Sequence, residues 1–154
     1  MSFDQSIIDS HEQKFNYSCI PSAIEMVLKL LGKVDRNYYN LQNEWTNKKN
    51  GNFQDFHGRN IEGVTFEHKF TNHRSASFPF NDLFAEIDHE LASDRCVIIS
   101  LQVDGGWHNY VIHEKRNNDY LAFSKDGKIT INFQGSLKTH VENMQGTDIL
   151  VYKT

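Results

Sequence analysis

Cys19-Ile-Pro-Ser-Ala-Ile-Glu-Met-Val-Leu-Lys-Leu-Leu-Gly32 is the stretch on which the reading of the fold turns. Ile20, Ala23, Ile24, Val27, Leu28 and Leu31 recur at helical spacing and form one apolar stripe, which predicts a core helix from Ile20 to Leu31. Pro21 suits its first turn, where a missing N–H costs nothing, and Gly32 is placed to end it. Cys19 then falls at the helix N-terminus. Unpaired backbone N–H groups and the positive end of the helix dipole there favour the thiolate, the nucleophilic form of cysteine.

Working outward, a second helix is expected from Asp35 to about Lys48, carrying Tyr38, Leu41 and Trp45 inward. A third is expected from Asn81 to Ala92, with Asn81 as its cap and Leu83, Phe84, Ile87 and Leu91 facing the core. Gly63 to Phe70 reads as a strand with Val64, Phe66 and His68 on one side. Past residue 95 the pattern changes to β-branched runs: Cys96 to Val103 as a central strand, then Trp107 to Glu114, Tyr120 to Phe123 and Lys128 to Phe133. Asn117-Asn118 and Asp126-Gly127 supply turns, and Ile149 to Tyr152 can close the sheet. The fold class expected is α+β, with N-terminal helices packed on a C-terminal antiparallel sheet.

The chain of 154 residues is expected to form a single domain over 1–154, and its 38% hydrophobic content supplies one core. A net charge of -4 argues against a nucleic-acid partner, which needs clustered Lys and Arg on one face. The first residues show no signal peptide, and no run is long and apolar enough for a membrane span. The expected location is cytoplasmic, or secreted without a cleaved signal. Two cysteines in unlike contexts imply neither a disulfide framework nor a zinc site. His57, His68, His73, His89 and His140 lack metal-ligand spacing, so neither metal nor cofactor is expected.

Around Cys19, Gln13 is near enough in sequence for its amide to donate to an oxygen that becomes negative in acyl transfer. His108 follows Gly105-Gly106-Trp107 at the head of a strand, where it could take the thiol proton and return one to a leaving amine. His113, at odd separation, should face the other way. An orienting group for His108 follows from hairpin geometry: an odd loop centred on Asn117 sets residue 126 opposite 108, with Ser124 on the same face, whereas an even loop turns both away. Asp126 is preferred because a carboxylate stabilises an imidazolium, although it also reads as a plain Asp-Gly turn residue. Cys96, flanked by Val97 and Ile98, reads as core.

These residues carry a resemblance. Gln13 to Gly32, with glutamine six before the cysteine, proline two after it, a small residue two beyond that and glycine ending the helix, resembles the nucleophile helix of bacteriocin-processing, double-glycine-cleaving cysteine peptidases of the papain-like fold. Val97 to Leu101, then Trp107 to Ile112, is similar to their strand leading to the catalytic histidine. The resemblance implies nucleophile for Cys19, oxyanion donor for Gln13 and base for His108. The chain departs from the family at Ile20, where glycine is usual, and at Ser124-Lys125, where an Asp-Pro pair is usual. A stand-alone bacterial effector or toxin protease matches better than a leader-removing module.

The expected activity is hydrolysis of a peptide or isopeptide bond in a protein or peptide substrate, through a Cys19 thioester. An acyl transferase or deamidase on the same scaffold is the alternative. A catalytically silent module that holds a peptide in its cleft is a third reading.

Overall fold

A computed structural model describes residues 3–45 and 51–154. A short helix α1, Gln5–Ser10, precedes the long helix α2, Cys19–Leu30, and a single-turn α3, Asn40–Glu44. A 3-10 turn, Phe53–Phe56, leads into β1, Asn60–Ile61, and β2, Val64–Lys69. Helix α4, Phe80–Ala92, is followed by the strands β3, Val97–Val103, β4, Gly106–Arg116, β5, Asp119–Asp126, and β6, Ile129–Asn132. Helix α5, Leu137–Asn143, and β7, Ile149–Lys153, complete the chain.

The seven strands form one antiparallel sheet in the order β1-β2-β7-β3-β4-β5-β6. Fold class α+β is therefore observed, with two differences from the expected layout. β2 forms where a strand is expected, and with β1 it joins the same sheet, so the sheet is not confined to the C-terminal half. β7 lies between β2 and β3 instead of closing an edge; Ile149, Leu150 and Val151 are buried, as an interior strand requires.

The sheet has a core on each face. Cys96, Ile98, Val111, Phe123, Leu150 and Tyr152 pack with α2 and its neighbours. Val97, Ile99, Leu101, Tyr110, Ile112 and Ala122 pack with Leu83 and Ile87 of α4 and Leu137 and Val141 of α5. The alternation along β3 and β4 divides these two sets, as the pleat dictates.

Helix α2 is buried along its whole length from Ile20 to Lys29, beyond what a one-sided apolar stripe requires. Its second face is polar and satisfied. Ser18, Ser22, Glu25 and Lys29 fall three or four residues apart, so they share one side. Lys29 meets His11 Nδ1 at 2.9 Å, and His11 Nε2 meets Ser22 Oγ at 3.0 Å. Gln42 donates through its side chain to Glu25 Oε1 at 2.7 Å and through its backbone to Glu25 Oε2 at 3.1 Å. At the helix end, Gly32 adopts φ +72°, its N–H reaches Lys29 O at 3.1 Å and the N–H of Lys33 reaches Leu28 O at 3.0 Å. This left-handed stop needs glycine at little strain.

Two expected helices differ in their bounds, and two short helices have no expected counterpart. The helix expected from Asp35 shrinks to Asn40–Glu44, although Leu41 and Trp45 are buried as expected; residues 46–48 of that span lie outside the described residues. The cap of α4 is Pro79, and Asn81 sits inside the helix without capping it. Helix α5 and α1 carry too few apolar positions to stand out as periodic segments, and both are docked by tertiary contacts.

Candidate functional site

Cys19 opens α2 and is partly buried there. Ser18 occupies the cap position but makes no side-chain cap bond. Its hydroxyl instead accepts from Phe15 N–H at 3.2 Å and donates to Gln42 Oε1 at 2.8 Å. Gln42 also accepts from Lys14 N–H at 2.7 Å and donates to Glu12 O at 2.9 Å. One buried amide thus ties the 12–18 loop to α2 and α3 and fixes the approach to Cys19. The first N–H groups of the helix are left to the thiol side.

The side chain that reaches Cys19 is Asn109. Its Nδ2 donates to Cys19 Sγ at 3.1 Å, and its Oδ1 accepts from Ser100 Oγ at 3.2 Å. Strand pairing explains this placement. Asp104 and Gly105 both have positive φ, 48° and 77°, and make a two-residue hairpin turn between β3 and β4. That turn pairs Ser100 with Asn109 and Leu101 with His108. Asn109 consequently lies on the α2 face, whereas His108 shares a face with Leu101, in the α4 and α5 core. His108 is exposed there, its Nε2 over Gly106, and the structure does not bring it to the thiol.

The other expected partners are also placed elsewhere. Gln13 donates from its side chain to Phe15 O at 3.1 Å and from its backbone to Gly127 O at 2.9 Å, and it does not line the groove at Cys19. Asp126 is exposed opposite Ile129 at the β5–β6 hairpin. The turn at Asn117-Asn118 is even, pairing Arg116 with Asp119, and a bulge between Ile112 and Glu114 then restores the odd-loop register at Val111 and Phe123. The β4–β5 pairing ends there, so residues 108 and 126 are not ladder partners. Ser124 Oγ donates to Asn109 O at 2.8 Å, which braces the strand and orients no imidazole. Among the described residues no hydrogen bond or ion pair joins Asp126 to His108. His113 faces the α2 side, against Phe3 and Phe123, opposite to His108 as expected.

Burial pushes the Cys19 thiol above its ordinary value, while the Asn109 amide and the backbone N–H groups of Ile20 and Cys19 pull the other way without overcoming it. An amide donor steadies a thiolate but cannot accept the thiol proton. Cys96, fully buried under Tyr152, is pushed up to about 12 by desolvation.

Cys19 lines a groove of about 690 Å³ together with Asn16, Tyr17, Phe53, Trp107, Asn109 and Asp148. Asn109, Ser100, Asn16 and Asp148 were not singled out from the sequence. The Asp104-Gly105 hairpin signal was the available route to Asn109, since it sets the pairing of β3 with β4. Asp148 is placed by β7 inserting into the middle of the sheet, which no local pattern announces. Among the described residues no three His, Cys, Asp or Glu side chains are grouped to hold a metal ion, and no helix is long and apolar enough to cross a membrane.

Comparison with family models, with curated proteins and with solved structures finds no match to this chain. What bears on function is therefore the Gln13 to Gly32 motif and the geometry around Cys19.

Proposed function

We infer that this domain is a peptide-binding module, with a groove over Cys19 that holds an extended chain and does not hydrolyse it. The observation that carries this reading is the Asn109 Nδ2 contact to Cys19 Sγ, in the place where thiol chemistry needs a proton acceptor. The groove volume of about 690 Å³ suits a short stretch of peptide. Asn16 offers a side-chain amide that can pair with peptide N–H and C=O, while Tyr17, Phe53 and Trp107 line the groove with aromatic rings. The test is incubation with a denatured proteome and mapping of new termini, using the wild type and Cys19→Ala. No Cys19-dependent cleavage is expected. Termini produced by the wild type and absent with Cys19→Ala would overturn the reading.

A second reading, the papain-like cysteine peptidase, is favoured by the position of Cys19 in the first turn of α2, beside an open groove. It needs His108 on the opposite face of β4. A one-residue shift of β4 against β3 makes that exchange, because the side-chain period of a strand is two. Acyl transfer or deamidation would need the same shift.

A further inference from the structure

We propose that Asp148 makes the groove selective for a positively charged ligand group, so that the peptide it holds carries a Lys or Arg side chain next to the segment lying over Cys19. This rests on the groove being a peptide site, and it adds the chemical class of the occupant. Among the described residues lining the groove, Asp148 is the one charged side chain. It stands at the entry to β7, across Ser100 from Asn109, and is partly exposed.

Its orientation is held by a residue that does not line that groove. His68 of β2 lies 2.7 Å from Asp148 Oδ2 through Nε2 and 3.0 Å from Gln54 Oε1 through Nδ1, and its own side chain is almost fully covered. Oδ1 of Asp148 has no protein partner among the described residues. A carboxylate with one oxygen held by an imidazole and the other without a protein partner keeps the capacity to accept from an ammonium or guanidinium.

The walls beside it suit the same group. Trp107 is 49% exposed and Phe53 is buried at the groove margin. The Trp107 ring already takes the Arg74 guanidinium at 4.9 Å, with Arg74 Nη1 held by Gln102 Oε1 at 3.2 Å. Aromatic rings and a carboxylate lining one groove suit a basic side chain, its stem along a ring and its charge at the oxygen. Arg74 and His68 border a separate pocket that shares Trp107 and Asp148 with the groove. The net charge of -4 favours a basic ligand over an acidic one as well.

Cys19 itself reports on the charge preference. Methanethiosulfonates modify a thiolate by forming a disulfide at their sulfenyl sulfur and expelling methanesulfinate, and they come in cationic trimethylammonioethyl, anionic sulfonatoethyl and neutral methyl forms. With rates at Cys19 followed by peptide mass and normalised to a free cysteine derivative, the cationic reagent should exceed the anionic one by about fivefold or more at low salt. Asp148→Asn keeps the His68 contact through its amide oxygen. It should reduce that ratio at least threefold or so, whereas Asp82→Asn, an equal charge change on α4, should leave it alone. Acetyl-Ala-Lys-Ala-amide should likewise protect Cys19 from the methyl reagent at lower concentration than acetyl-Ala-Glu-Ala-amide. An unchanged ratio in Asp148→Asn, or equal protection by the two peptides, overturns the role of Asp148 while leaving the groove. Failure of the methyl reagent to reach Cys19 in the folded protein overturns the groove reading itself.

Discussion

Asn109 of β4 donates its amide to the sulfur of Cys19 at 3.1 Å, joining the first residue of α2 to a strand ninety positions later in the chain. An amide in that position stabilises negative charge on sulfur and offers no base.

Asn109→Ala should therefore make the thiol less reactive, not more. Loss of one hydrogen bond worth about 1 kcal/mol to the thiolate corresponds to a roughly fivefold lower alkylation rate near neutral pH. Asn109→His should do the reverse, because an imidazole held at the sulfur can take its proton. Iodoacetamide kinetics on the folded variants check both.

Cys96→Ala should be felt in stability and not at the groove. The side chain is fully buried among Ile98, Leu150 and Tyr152, and its truncation should cost about 1 kcal/mol through the small cavity left behind. Urea denaturation should show the lower midpoint. Native-state labelling of Cys19 should be unchanged in this variant.

Gln42→Ala should be among the most damaging single changes. It removes the partner of Glu25 Oε1 and of Ser18 Oγ together, leaving a buried carboxylate short of one donor. A cost of about 3 kcal/mol is expected. Glu25 is already held up to about 7 by burial, against the pull of Gln42, so the variant should raise it further. Thermal unfolding of the variant at pH 6 and pH 8 should show a larger loss at the higher pH, where the carboxylate must ionise.

His11 gives a pH dependence of opposite sign. Burial, and then Lys29, lower it to about 3, so the native state keeps it neutral where the unfolded chain would protonate it. Its contribution is present above about pH 6.5 and is lost as pH falls toward 3, with a slope of at most about 1.4 kcal/mol per pH unit. His11→Ala should be less stable at pH 7 but lack this component of the acid slope. Urea titrations between pH 4 and 7 separate the two.

The fold was legible wherever a local period or a turn signal spoke. The apolar stripe of α2, its Gly32 stop and the β-branched run of β3 all lie where their patterns put them. The polar side of α2 was not legible as buried, because Glu25 and Lys29 look like solvent residues until Gln42 and His11 arrive from other segments. Cys19 was recognisable from its place at a helix start. The identity of its strand partner depended on a one-residue parity: His108 and Asn109 are adjacent, and the Asp104-Gly105 turn sends only Asn109 to the α2 face. Gln13 was placed by sequence proximity alone, and its amide is spent on its own loop.

The central claim is that Cys19 lies beside an amide and not beside a working imidazole. The rate of Cys19 alkylation by iodoacetamide, measured from pH 5 to 10 in the wild type and in His108→Ala, tests it most directly. The account predicts a single rise with an alkaline midpoint, as desolvation requires, superimposable in the two proteins. Fast alkylation persisting below pH 7 in the wild type and lost in His108→Ala would contradict it and establish a thiolate–imidazolium pair.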